Sequence, residues 1–304
     1  MAYGLQSYGD GTKREDLLDI IGDVSPDSNP LSTMLKVTSA SQRTHEWLED
    51  YQARPTANTG SVEGAETTYD DITPPARRTN VTQIVTESVR VSDTQRAIDH
   101  AGVGDPFTYQ KGRALLRWKN RQEFALVRSA LSSGASGSSQ TMIGIEAVVT
   151  SHTTNRLSGT SLSETELNAM FYDVAGDVGN EDVFDIVLTT LQLRQKISTF
   201  TAGSTKYVNA SDKRLTRPIQ VYESDFGVHR IFGHKDVSVS AATPGPRVLG
   251  IREDKWRIAY LRRPKFELLA KVGDRENGHI VGEVTLEYLA ERANAQRTGF
   301  AYAG

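Results

Sequence analysis

The 304-residue sequence contains no cysteine. Its absence excludes disulfides, thiolate catalysis and cysteine-ligated zinc or iron–sulfur sites, and it fits synthesis in a reducing cytoplasm. Long apolar runs are also missing. Nowhere do about 18 consecutive apolar residues occur, as a membrane-crossing helix requires, and the first ten residues carry no basic segment leading into an apolar one. Neither a secretory leader nor a membrane partner is therefore expected. Charge of one sign is not in surplus, with 35 Lys and Arg against 38 Asp and Glu, so any electrostatic argument has to be local. The hydrophobic fraction, 38%, is low for one compact body of this length. Part of the chain must lie extended over polar surface or be buried against partners. The length suits one or two domains.

The motifs of catalysis are absent too. There is no Gly-x-Ser-x-Gly elbow, no Walker phosphate loop and no dinucleotide fingerprint. Gly102-Val-Gly104 runs into Asp105, whose carboxylate would repel phosphate. His229 and His234, with Asp225 and Asp236 nearby, invite a metal reading, but residues five apart on a strand face opposite ways. Asp70-Asp71 lacks the alternating ligand loop of a calcium site. Asp225-Phe226-Gly227 spells a kinase-like triplet without the other kinase motifs and reads as a turn. The sequence thus predicts no catalytic residue, no metal and no cofactor.

What is present is a set of extended and helical pieces in an unusual order. Residues 1–43 read as an arm, with short amphipathic stretches at 16–21 and 31–35 that are too short to be stable helices alone, which takes roughly 12–15 residues. Residues 45–50 read as a strand and 78–91 as a longer one, with Val81, Gln83, Val85, Glu87, Val89 and Val91 sharing one face. Between them, residues 53–75 are rich in Thr, Gly, Asp, Glu and Pro, and so long a connection points to a binding segment rather than an ordinary loop.

Asp105-Pro106 is a strong helix start, and the apolar stripe that follows predicts a helix over 105–131, a rod on the order of 38 Å long. Residues 132–139, Ser and Gly with one Ala, have the composition of a flexible linker and mark a domain boundary. Farther on, Ser163-Glu-Thr-Glu166 matches a capping box. Residues 183–188 read as a buried strand, 191–200 as a second helix, and 219–223, 228–232, 255–261, 266–271 and 279–289 as strands, with turns at 225–227 and 273–278. The class is α+β.

Charge sorts by segment. Between residues 45 and 76 the acids are Glu46, Glu49, Asp50, Glu63, Glu66, Asp70 and Asp71, against the single base Arg54. Between 106 and 131 the bases are Lys111, Arg113, Arg117, Lys119, Arg121 and Arg128, against the single acid Glu123. Both runs are read either as solvated faces or as complementary surfaces, the arm of one copy (through Glu63, Glu66, Asp70 and Asp71) lying over basic surface of another. The basic rod could instead face DNA.

The order of these parts resembles a tailed-bacteriophage major capsid protein of the Hong Kong 97-type fold. The residues that carry the resemblance are Asp16-Leu-Leu18, Asn29-Pro-Leu31, Thr44-His-Glu-Trp-Leu-Glu-Asp50, Asn80-Val-Thr-Gln-Ile84 and Val91-Ser-Asp-Thr-Gln95. Later matches are Val221-Tyr-Glu-Ser-Asp-Phe-Gly227, Leu269-Ala-Lys-Val-Gly-Asp274 and Gly282-Glu-Val-Thr-Leu-Glu287. The resemblance implies an N-terminal arm (1–43), an extended β-hairpin or E-loop (44–92), a peripheral domain with a long spine helix (93–149), an inserted α/β axial domain (150–250) and a return to the peripheral sheet (251–304).

It further implies a non-catalytic subunit of an icosahedral virion capsid, assembled in the host bacterial cytoplasm as hexamers and pentamers around double-stranded DNA. A portal protein, a separate scaffolding protein and a decoration or cement protein are implied partners. Only some fifteen residues precede Asp16, which implies either a separate scaffold or an already processed chain. No Lys occurs between Lys36 and Lys111, so the E-loop has no amine for the covalent cross-link of some relatives and the lattice is expected to be non-covalent. An encapsulin-type compartment shell shares the fold and stands as the alternative.

Overall fold

The structure is a computed structural model that describes residues 29–52, 58, 60–66, 74–98, 104–179, 182–200, 220–237 and 245–301. In chain order its helices are α1 (Pro30–Met34), α2 (Asp93–Ala97), α3 (Pro106–Arg128), α4 (Ile145–Val148), α5 (Glu164–Val178) and α6 (Leu191–Ile197). The strands are β1 (Lys36–Ser39), β2 (Thr44–Glu49), β3 (Ala76–Val81), β4 (Gln83–Ser92), β5 (Thr153–Thr160), β6 (Ile186–Thr189), β7 (Gln220–Ser224), β8 (Gly227–Gly233), β9 (Val248–Ile251), β10 (Trp256–Leu269), β11 (Arg275–Tyr288) and β12 (Ala295–Phe300). They form a four-stranded sheet in the order β1-β10-β11-β4, a six-stranded sheet in the order β5-β12-β9-β6-β8-β7, and a two-stranded ribbon of β2 and β3. The α+β class expected from the sequence is the class observed.

Helix α3 begins where the sequence says it should. Asp105 accepts hydrogen bonds from the amides of Phe107 and Thr108, and Pro106 occupies the first turn. At 1.5 Å per residue its 23 residues make a rod of about 35 Å. Phe107, Ala114, Trp118, Ala125 and Leu126 are buried along it, and the Trp118 indole N–H donates to the Val85 carbonyl at 2.9 Å, stapling the rod to β4.

The six-stranded sheet is covered on both faces. On β6, Ile186 and Leu188 pack into the core shared with α3 and β11, while Val187 packs into a second core with Phe171 and Val174 of α5. A strand buried on both faces has no polar face to show, which is why residues 183–188 read as a nearly unbroken apolar run.

Five expectations are corrected. The long strand over 78–91 is two strands: β3 pairs with β2, whereas β4 pairs with β11, and Thr82 between them donates through Oγ1 to Glu283 at 2.6 Å instead of continuing one ladder. The separate strands over 255–261 and 266–271 are one strand, β10, interrupted by two register shifts against β11 between Tyr260 and Lys265. Pro264, which has no N–H for a ladder, sits in the second shift, where a bulge leaves a residue unpaired. In the same hairpin the turn closes at Gly273, with φ +73°, and 275–278 already belong to β11.

The Ser- and Gly-rich segment 132–139 is not a flexible boundary. Ser132 and Thr141 exchange backbone hydrogen bonds at 3.0 Å, and Ser138 donates to Ala135. Gly134 and Gly137 take the positive φ that so tight a reversal needs. Beyond it, Met142 and Ile145 enter the same core as α3. Finally, residues 251–304 do not all return to the four-stranded sheet: β12 pairs with β5 and β9 in the six-stranded one.

Candidate assembly surface

The β2–β3 ribbon is two strands wide, and an isolated two-stranded hairpin is marginal in water. Its root is held by side chains. Along β11, Val284 and Leu286 point into the core, so by the two-residue period Glu283, Thr285 and Glu287 face the other way, toward the ribbon. His45 Nε2 lies 3.1 Å from Glu287, and Trp47 meets Tyr288 edge-on at 4.9 Å. Asn80, 1% exposed, donates to the Leu286 carbonyl at 2.7 Å and accepts from the amides of Val81 and Ile143 at 2.9 and 3.0 Å. Glu49 accepts from the Glu291 amide at 2.7 Å and pairs with Arg78. The Thr-His-Glu-Trp-Leu-Glu and Asn-Val-Thr-Gln motifs are thus the two sides of one anchor.

Next to the root, Tyr51 donates to Asp177 at 2.6 Å, and Arg292 reaches Asp177 at 3.3 Å while its guanidinium stands 4.0 Å over the Tyr51 ring. His152 Nε2 is 3.3 Å from the same carboxylate. This cluster ties the ribbon to the C-terminal end of α5 and borders a cavity of about 600 Å³. Burial would raise the Asp177 carboxyl; the Tyr51 hydrogen bond and the charges of Arg292 and His152 hold it below the usual range.

Away from the root, Glu63 and Glu66 are exposed, Glu63 within a turn in which Ala65 donates to Val62 at 3.0 Å and Glu66 just after it. Asp70 and Asp71 lie outside the described residues. On α3, Lys111, Arg113, Arg117, Lys119 and Arg121 are all exposed. Glu87, buried at 7% exposure on β4, takes Arg117 at 3.2 Å and Arg121 beside it. Lys111 lies 4.4 Å over the Phe266 ring, and Arg113 is stacked 5.7 Å from the Tyr109 ring. The basic face is real, but Arg117 and Arg121 on it are paired with the buried Glu87 of the same chain.

The lone acid of the rod has a role that the charge pattern alone does not assign to it. Glu123 is wholly buried, and the signal was available: it falls three residues before Leu126 and five after Trp118, inside the apolar stripe, where an unpartnered acid would be costly. Its carboxylate accepts from the Leu31 and Ser32 amides at 2.7 and 2.9 Å, from Ser32 Oγ, and from His234 Nε2 at 3.0 Å. Burial pushes this carboxyl up, and the His234 and Ser32 hydrogen bonds outweigh it and hold it low.

His234 and His229 do not share a site. His229 is stacked 3.9 Å from Phe171 in the second core, donates through Nδ1 to the Phe184 carbonyl at 2.8 Å, and accepts from Ser224 at 2.7 Å. Among the described residues no three His, Asp or Glu side chains are grouped to hold a metal ion.

The family model of the SU10 major capsid protein matches residues 4–301, nearly the whole chain. A major capsid protein of Escherichia phage Phieco32 is 32% identical over 114 residues, 36% of this chain and 32% of the relative, so the alignment spans about a third of that relative's length. Three solved structures, each 12% identical, share the fold. The cyanophage A-1(L) capsid matches with a TM-score of 0.66 over 95% of this chain and 97% of that one. The capsid of an empty GTA particle matches at 0.63 over 99% and 100%, and an encapsulin from Synechococcus elongatus at 0.59 over 98% and 94%. The fold is thus Hong Kong 97-like, and the chain belongs to the SU10 major capsid protein family, the structural and non-enzymatic capsid subunits of tailed phages.

Proposed function

We propose that copies of this chain assemble as hexamers and pentamers into an icosahedral head that encloses double-stranded DNA, in a lattice held without covalent cross-links. The observation that carries the reading is the β2–β3 ribbon, fastened at its root to β11 while its acidic residues Glu63 and Glu66 stand exposed. A ribbon this narrow gains stability by lying on a neighbour, and permanent assemblies bury roughly 2,000–5,000 Å² per contact. Residues 37–110 contain no Lys, which supports a non-covalent lattice.

The acidic ribbon of one copy is proposed to seat on the basic surface of α3 in the next, with Glu63, Glu66, Asp70 and Asp71 against Lys111, Arg113, Arg117, Lys119 and Arg121. Opposite potentials of this kind set register and speed association. Assembly in the bacterial cytoplasm with a separate scaffolding protein, a portal protein at one vertex, and a decoration or cement protein outside complete the proposal. The likeness to an encapsulin concerns the fold, and the family match favours the phage head. Electron microscopy of the recombinant protein with its scaffold tests this: closed shells are expected. A chain that stays a compact monomer at high concentration would refute it, and particles isolated from the native source that hold protein cargo and no DNA would favour the compartment.

A further inference from the structure

The described residues place a fully buried carboxylate where three parts of the fold meet. Glu123 belongs to α3, Leu31 and Ser32 to α1 at the end of the N-terminal arm, and His234 to the segment that leaves β8 of the six-stranded sheet. Both Glu123 and His234 side chains have 0% exposure. Glu123 Oε1 is shared, accepting from the Leu31 amide at 2.7 Å and from His234 Nε2 at 3.0 Å, while Oε2 accepts from the Ser32 amide at 2.9 Å and from its hydroxyl.

The imidazole is held so that it has one N–H to give. The Asp236 amide donates to His234 Nδ1 at 3.1 Å, which leaves the proton on Nε2, aimed at Glu123. The His234 amide in turn donates to the Thr189 carbonyl at the end of β6, at 2.8 Å. The hydrogen bonds to this buried acid therefore come from the arm on one side and the six-stranded sheet on the other. Lys235 nearby is directed to Asn120.

We propose that Glu123 couples docking of the N-terminal arm to the seating of residues 233–237 against the spine helix, so that release of either loosens the other. A buried carboxylate is stable only while its donors are in place, and each group of donors here is incomplete without the other. The inference does not depend on how the shell is built; it concerns one subunit.

Amide hydrogen exchange on the full chain tests it. Ser32→Ala removes one donor from the arm side, and His234→Ala removes the donor from the sheet side. Ser32→Ala is expected to speed exchange at 31–35 and, by tenfold or more, also at the Asp236 amide. His234→Ala is expected to speed exchange at 31–35, with the centre of β11 unchanged in both variants. If Ser32→Ala affects only 31–35, and His234→Ala only its own segment, the two are independent and the proposal fails. Because His234→Ala opens a cavity, His234→Gln is measured beside it, since its amide can still donate: restored protection at 31–35 supports the coupling, and protection lost equally in both variants overturns it.

Discussion

The indole of Trp118 lies so close to Gly282 that a Cβ on that glycine would stand 2.5 Å from Trp118 Cζ2. The glycine in the Gly282-Glu-Val-Thr-Leu-Glu287 motif is therefore where the spine helix is allowed to sit down on β11, with the Pro264 backbone 3.2 Å away on the same side. Gly282→Ala is expected to destabilise the subunit by about 1–3 kcal/mol, the usual range for overpacking a core, measured as a lowered midpoint in urea. In a Trp118→Phe background, where the clashing ring atom is gone, the same substitution should cost less, because the two sites share one contact. Equal costs in both backgrounds would show that the indole is not what Gly282 makes room for.

His229 supplies a pH dependence. Burial pushes its pKa down to about 4, against an ordinary value near 6.5, because the folded core accepts only the neutral ring. A depressed folded pKa means that the contribution is complete above about 6.5 and is lost as the pH falls from there toward 4, in total on the order of 3 kcal/mol. Urea midpoints measured at pH 7.5 and pH 4.5 should drop for the wild type. His229→Gln, less stable at pH 7.5, should show a smaller drop between the two conditions. The carboxylates of Asp93, Asp105 and Asp177 are held below their usual range, so their loss falls at lower pH than the start of the His229 window.

The orientation of the ribbon is expected to depend on Asp177. Asp177→Asn removes the charge that Arg292 and His152 share beside Tyr51. Limited proteolysis should then cut faster within residues 44–52 and 74–81, while cleavage elsewhere is unchanged. Unaltered cleavage at the ribbon would mean that the β11 anchor through His45 and Asn80 suffices alone.

Charge reversal separates folding from assembly. Replacing Glu63, Glu66, Asp70 and Asp71 by Lys should leave the circular dichroism spectrum of the isolated subunit intact while closed shells vanish from micrographs. Normal particles would rule out the proposed clasp. For a DNA-facing α3, the informative changes are Lys111→Gln and Lys119→Gln. Neutralising Arg117 or Arg121 would also strip a partner from the buried Glu87. Less packaged DNA in normally formed shells would place this face inward.

Helix starts and one hairpin turn were legible in the sequence because their causes are local, although the equally local reversal at 132–139 was not. The Asp105-Pro106 start of α3 and the Ser163 cap of α5 were legible because capping involves atoms two or three residues away. The Asp225-Phe226-Gly227 turn was legible because β7 and β8 are adjacent hairpin strands. The candidate site was only half legible. The acidic ribbon and the basic rod stand in the composition, but the pairing of Arg117 and Arg121 with Glu87 joins residues about thirty positions apart, which no local pattern encodes.

The sequence by itself determined the α+β class, the long capped helix α3, the opposed charges of ribbon and rod, and the absence of thiol chemistry, but it did not announce β5, β9 or β12. Only the tertiary structure decided where strands change partners. The break at Thr82, the merging of two strands into β10 and the return of β12 to the six-stranded sheet all depend on which distant strand offers a free edge. It also decided the fate of Glu123. Read along the chain it is one acid among bases, and only when α1 and His234 arrive from 92 and 111 residues away does a buried carboxylate acquire the donors that make its burial tolerable.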